Sequence, residues 1–230
     1  MLTHSIKNKN PWDLSLHPQT RTKLQMLREI FDTWLTIWNS PNQQKWVAKE
    51  WYVIDLFAGR GWHEDGEKEV SGSPLIFLES IFSKVKKIKE NNVRIKLLCV
   101  EKSNKDFKQL KVKVLKFIEN HPEIKDIVLF DLHKGDCNEV SDRIIEKVEK
   151  SSKNPIFLFI DPYGINIHKD AIKKYLGLSN PIDVFFNYSD EGTTRTQGLA
   201  LKQFPTAKEK KTVSSLETFI GKDVTTVRLT

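Results

Sequence analysis

Five short apolar runs constrain this chain more than any other feature of it. WYVIDLF (51–57), IKLLCVE (95–101), IVLFD (127–131), PIFLFID (155–161) and IDVFFNY (182–188) are dense in β-branched and aromatic residues. Runs of this kind suit strands covered on both faces. Their starts are separated by 44, 32, 28 and 27 residues, which leaves room for a crossover helix each time. The spacing predicts right-handed βαβ units and a parallel sheet. The expected fold class is α/β, a Rossmann-like doubly wound sheet with the first strand near the centre and the order reversing beside it.

The intervening segments read as helices. Residues 20–38 place Leu24, Leu27, Ile30, Phe31, Trp34, Leu35 and Trp38 at three-and-four spacing, and Pro41-Asn42 ends the pattern. Ser73-Pro74 predicts a helix start, with Ser73 as N-cap and proline at the first helical position. Ser103 opens a helix with Phe107, Leu110, Val114, Phe117 and Ile118 on one face and lysines on the other. A helix at about 138–150 and a short one before 182 complete the alternation. The expected organisation is a helical segment packing on the sheet (1–45), a Rossmann-like domain (46–190) and a loop with a C-terminal extension (191–230). Beyond 189 the periodicity decays, leaving two readings: a mobile loop followed by one more helix, or the end of a fragment.

At 230 residues the chain has room for one domain, and 13 Phe with 6 Trp supply a core. No run approaches the length of a membrane span. The first twenty residues lack the apolar core of a secretory signal. Two cysteines exclude a disulfide scaffold and a zinc finger, so the expectation is a reduced, cytoplasmic protein. Net charge is +7, and the excess is local: twelve Lys or Arg against three acids between Lys84 and Lys116. That stretch is either a nucleic-acid-binding surface or a set of solvated lysine faces.

Ligands of doubly wound sheets sit at the carboxyl ends of the strands. The first run ends in Asp55-Leu56-Phe57-Ala58-Gly59-Arg60-Gly61, where Gly59 and Gly61 would let the backbone approach a ligand. Twelve residues (Trp62–Ser73) separate this loop from the next helix, unlike a dinucleotide fingerprint, and no Gly-Lys-Ser/Thr of a P-loop is present. Trp62 either covers a ligand or packs. Glu101 ends the second run, where a carboxylate can accept from a ribose diol. In Gly135-Asp136-Cys137-Asn138, either Asp136 accepts from an adenine amine, or Asp136 or Asn138 simply caps the following helix. Asp161-Pro162-Tyr163-Gly164 ends the fourth run: an acid and free carbonyls that can accept from an amine, and an aromatic ring that can stack on a base. Methyl transfer to an exocyclic amine needs such positioning and no strong base. Asp161, Pro162 and Tyr163 are therefore the candidate catalytic residues. Asn187 and Arg195 follow the fifth run, and Cys99 and Cys137 read as structural.

These blocks together resemble the three-Cys-motif partner proteins. The resemblance lies in Asp55-Leu-Phe-Ala-Gly-Arg-Gly, Glu64-Asp65-Gly66 and Gly72-Ser73-Pro74-Leu75, then Val100-Glu101, Gly135-Asp136-Cys137-Asn138, Phe159 to Gly164, and Phe186-Asn187-Tyr188. Thr20 and Lys23 before Leu27 match as well, and the likeness covers roughly 12–200. It implies a sheet of the class I S-adenosylmethionine methyltransferase type and S-adenosylmethionine as cofactor. It implies Asp55, Ala58, Gly59, Gly61 and Ser73 around the methionine end, Glu101 at the ribose and Asp136 at the adenine. It also implies a partner carrying three cysteines, of radical-S-adenosylmethionine-like character, with either a methyltransferase or a catalytically silent assembly role for this chain. Three departures stand out. Arg60 replaces the family's usual proline. The fourth block has one proline where amino-methylating enzymes have two. The final antiparallel hairpin of such sheets is not evident after 189.

Overall fold

The structure is a computed structural model that describes residues 16–149, 152–164, 166–187 and 206–220. Tyr188 and Arg195 lie outside the described residues. The elements in chain order are α1 (Pro18–Trp38), a 3-10 turn (Gln43–Lys45), β1 (Glu50–Asp55), β2 (Trp62–Asp65), β3 (Lys68–Ser71), α2 (Ser73–Ser83) and α3 (Val85–Glu90). They continue with β4 (Arg94–Glu101), α4 (Asn104–Asn120), β5 (Val128–Lys134), α5 (Cys137–Val148), β6 (Ile156–Ile160), α6 (Lys169–Leu176), β7 (Ile182–Phe186) and α7 (Ala207–Ile220).

The main sheet runs β5-β4-β1-β6-β7 with every neighbouring pair parallel. In order of appearance its strands stand third, second, first, fourth and fifth across the sheet, the Rossmann-like doubly wound arrangement expected of a class I methyltransferase-type sheet. The order reverses between β1 and β6. Among the described residues β5 and β7 form the two edges, and no further strand joins β7.

Strand alternation divides the core in two. Trp51, Val53, Ile95, Leu97, Cys99, Phe157 and Phe159 face one side and bury against α1, α2 and α4. Tyr52, Ile54, Leu98, Val100, Ile156, Leu158 and Ile160 face the other, against α5 and α6. On the first side Trp34 of α1 packs on Trp51 and Phe157, and Phe31 on Phe77 and Phe157, with ring centroids 4.7–5.7 Å apart. These edge-to-face contacts fix α1 against the centre of the sheet. Trp34 also donates its indole N–H to Asp183 Oδ2 of β7 at 3.0 Å.

Three details differ from the sequence expectation. The segment 62–73 is an antiparallel hairpin, β2 with β3, closed by a two-residue loop. Gly66 takes the first loop position at φ +64°, a conformation that side chains resist. Gly72, and not Ser73, is the N-cap of α2, without a side-chain cap bond, and Ser73 lies inside the first turn. The third strand runs on to Lys134, since its half-exposed DLHK stretch stays paired to β4. No helix of the described residues is long and apolar enough to cross a membrane.

Candidate functional site

Register sets the depth of each acid. Asp55 pairs with Cys99 on one side and with Phe159 on the other. The neighbouring chains continue two residues further, to Glu101 and Asp161. At about 3.3 Å per residue, both rise roughly 7 Å above the level of Asp55. Asp55 therefore lies beneath the floor, and Glu101 and Asp161 stand at the rim on either side of it.

Asp55 is fully buried. Its Oδ1 accepts from the Phe57 N–H at 3.1 Å, and its Oδ2 has no partner within hydrogen-bond geometry among the described residues. Burial pushes the carboxyl up to about 7; Ser73 and the Phe57 N–H offset part of the rise, and the charges of Asp161 and Glu101 add to it.

Above this floor a cavity of about 580 Å³ opens at the carboxyl ends of the strands. Of the sequence-predicted residues, Gly59, Glu101, Asp136, Asp161 and Tyr163 line it. Gly59 holds φ +58° there, which suits glycine. Glu101 accepts from the N–H of Ser103. Burial raises its carboxyl and the charge of Asp106 raises it further, against the N–H groups of Ser103, Gly59 and Lys102. Asp136 resolves as the N-cap of α5: Oδ1 accepts from the Asn138 N–H at 3.0 Å, and Oδ2 pairs with Lys102 at 2.8 Å. Burial alone would raise Asp136, but Lys102 and Asn138 hold it below its ordinary value.

Asp161 is held from both sides. Its Oδ1 accepts from Asn187 Nδ2 and its Oδ2 from the Lys23 ammonium of α1. Tyr163 is 75 % exposed at the mouth and stacks on nothing among the described residues. Beside this group, burial together with the Lys23 and Arg60 cations pushes His63 down to about 4, so its ring is neutral at pH 7.

Asp55, Ala58, Gly61, Ser73 and Pro162 do not line the cavity. Ala58 is buried and donates its N–H to the Val100 carbonyl at 3.0 Å, tying the loop to β4. Gly61 is needed for packing between chain segments. A Cβ there would stand 2.7 Å from Leu110 Cδ1, and one on Gly72 would stand 2.8 Å from the Gly61 backbone. Arg60 turns away from the cavity, stacking on the Trp62 ring at 3.8 Å. Trp62 takes Lys113 at 5.0 Å as well and does not line the cavity.

The structure adds Asp106, Lys211 and Ser215, to which the sequence did not point, and gives Asn138 a place in the wall. Asp106, in the first turn of α4, is 6 % exposed, lines the cavity and leaves Oδ1 without a partner. It falls in a helix without any strand-end position to mark it. Asn138 bridges the walls, donating to the Asn166 carbonyl at 2.9 Å and accepting from the His168 N–H at 2.8 Å. Lys211 and Ser215 of α7 close one side. That helix is anchored by buried Leu216 and by Phe219 against Phe186. Cys137 touches the cavity, but burial pushes its thiol up to about 12, which makes it unreactive.

The lining thus carries four carboxylates, Glu101, Asp106, Asp136 and Asp161, against two lysines, Lys102 and Lys211. It is built to accept hydrogen bonds and to hold positive charge. A pyrophosphate would require the opposite, and the two helix starts on the lining, those of α4 and α5, are already capped by Ser103 and Asp136.

No family model matches the chain, and no curated protein matches it. Among solved structures it is similar to a putative caffeoyl-CoA O-methyltransferase from Staphylococcus aureus, with a TM-score of 0.42 and 11 % identity over 87 % of this chain and 72 % of that one.

Proposed function

We propose that the cavity binds S-adenosylmethionine and that the chain directs its methyl group to a polar acceptor. One observation carries this reading: an acid-lined cavity of about 580 Å³ at the strand ends beside β1, with an orphaned carboxylate oxygen on Asp106. The volume lies within the range of small-molecule sites. The donor sets match too. A ribose diol and an adenine amine are hydrogen-bond donors, and a sulfonium and an ammonium are cations; all of them suit carboxylates.

When bound, S-adenosylmethionine supplies an electrophilic methyl group on a positively charged sulfur. The residues do the rest. Glu101 accepts from the ribose hydroxyls. Asp106 offers Oδ1 to a donor or cation of the ligand. Asp136 keeps α5 capped, with Lys102 screening its charge. Gly59 lets the backbone line the cavity without a side chain. Asp161, fixed by Lys23 and Asn187, keeps lone pairs with which to orient the acceptor, and Tyr163 covers the mouth. The acceptor reading extends to a nucleic-acid base or a group of like polarity. The sequence blocks further support a proposal that the chain is a three-Cys-motif partner protein acting beside a three-cysteine, radical-S-adenosylmethionine-like protein.

The test is calorimetric titration with S-adenosylhomocysteine, using Glu101→Ala as control. The expected result is saturable heat that the substitution abolishes. At about 100 times its dissociation constant the ligand should also stabilise the fold by roughly 2.7 kcal/mol. Absence of both heat and stabilisation at millimolar ligand rejects the reading.

A further inference from the structure

Eight of the twelve basic residues between Lys84 and Lys116 fall into two groups in the fold. Lys87, Lys96, Lys102 and Lys113 each pair with a carboxylate, on Glu90, Glu50, Asp136 and Glu69 respectively. Lys105, Lys108, Lys111 and Lys116 are exposed on α4 and make no ion pair among the described residues. At 3.6 residues per turn these four fall within about 140° of the helix surface, along roughly 16 Å. α4 holds two acids: Asp106 is buried beneath this face, and Glu119 stands at its far end. The face begins at the cavity, since Ser103 and Asp106 of the same helix start line it. Lys102, Lys211 and the 75 %-exposed Tyr163 line the same cavity.

We propose that the outer face of α4 binds the phosphates of a single-stranded nucleic acid and so leads one base to the cavity mouth at Tyr163. The second half of this statement rests on the methyl-transfer reading. The first half stands on charge and placement alone. A cluster of unpaired lysines on one helix face suits the repeating charge of a phosphate backbone. An exposed aromatic ring on the lining of the cavity where α4 begins offers a stacking platform for a base. A base can enter the cavity only out of a stack, which favours a single strand. A membrane surface fits less well. The apolar side of α4, through Leu110 and Val114, is spent on the core, and only Val112 and Leu115 are exposed among the lysines.

The experiment is fluorescence anisotropy with a labelled single-stranded oligonucleotide of mixed sequence, in a salt series. Four lysines predict a slope of log affinity against log salt near −3, at about −0.7 per phosphate. The combined variant Lys105→Gln, Lys108→Gln, Lys111→Gln and Lys116→Gln should lose at least tenfold in affinity and most of that slope, with its melting temperature unchanged. The combined variant Lys86→Gln and Lys89→Gln, on exposed positions of α3, should bind as the parent does; equal loss there would mean net charge alone and overturn the proposal. No binding, or binding insensitive to the α4 variant, overturns it as well. Poly-glutamate and phosphatidylserine vesicles carry repeating negative charge without bases; displacement of the oligonucleotide by either at a lower charge concentration than unlabelled oligonucleotide needs overturns the proposal and reassigns the face to an acidic protein or a lipid surface. S-adenosylhomocysteine calorimetry on the α4 variant separates the two readings. Retained ligand heat with lost oligonucleotide binding supports the face. Oligonucleotide binding by a protein that takes up no S-adenosylhomocysteine keeps the face and fails the cavity.

Discussion

Lys23 and Asp161, 138 residues apart, form an ion pair of 2.5 Å that joins the helix outside the sheet to the end of its fourth parallel strand. Both side chains are about four-fifths buried, and Asn187 occupies the other Asp161 oxygen at 2.7 Å. The acid at the rim of the cavity is thus held by a segment that the sheet does not contain.

Breaking that pair leaves a largely buried carboxylate without its cation. Lys23→Met is expected to destabilise the fold by about 1–3 kcal/mol, and Lys23→Arg to restore most of the loss. Urea unfolding midpoints measure both. A Lys23→Met protein as stable as the parent would show the pair to be solvated in solution.

Asp55 makes stability depend on pH. Its folded value, about 7, lies above its ordinary value of 3.8 because burial disfavours the charge. The folded state then binds the proton more tightly than the unfolded state. Its contribution is fully present below about pH 4, is lost as pH rises towards 7, and stays lost above. Asp55→Asn should be more stable than the parent at pH 8, by up to about 4 kcal/mol, with the difference shrinking towards zero at pH 4. Thermal or urea unfolding at the two pH values checks it, and a pH-independent difference would contradict the buried acid.

Two glycines of the hairpin region separate strain from crowding. Gly66 sits at φ +64° with open space around it, so Gly66→Ala should cost only about 1–2 kcal/mol. Gly72 has ordinary backbone angles, but a Cβ would meet the Gly61 backbone at 2.8 Å. Its N–H also donates to the Gly61 carbonyl at 2.8 Å, so the two segments cannot part cheaply. Gly72→Ala should cost more than Gly66→Ala, about 3 kcal/mol. Denaturant midpoints give the ranking, and the reverse order would refute it.

Asp106 is the sharpest probe of the cavity. Asp106→Asn keeps the shape and removes a negative charge whose Oδ1 nothing satisfies. If the ligand supplies the missing donor, affinity for S-adenosylhomocysteine should fall about tenfold or more, since a hydrogen bond to a charged group contributes about 1.5–3 kcal/mol. The free protein should be no less stable. Unchanged calorimetric affinity would place the ligand away from α4.

Much of the fold was legible because its signals are local. Ser103 does cap α4, accepting from the Asp106 N–H, and Asp136 does cap α5. The β2–β3 hairpin was missed although Asp65-Gly66 marks its turn, because ten mostly polar residues read equally well as a loop. Ser73 read as an N-cap on residue type, yet the close approach of Gly61 puts Gly72 there instead. In the cavity, residue identity at the strand ends pointed to Glu101, Asp136 and Asp161 but could not separate them from Asp55.

The sequence by itself determined the five strands of the main sheet with the helices between them, and that acids end the first, second and fourth of those strands, since apolar periodicity and turn chemistry act between near neighbours. Only the tertiary structure decided that Asp55 is sealed under the floor while Glu101 and Asp161 open to the cavity, that Lys23 holds Asp161, and which lysines of α4 stay unpaired. The physical reason is that desolvation and ion pairing depend on strand register and on groups far away along the chain, and neither quantity is written in the residues next door.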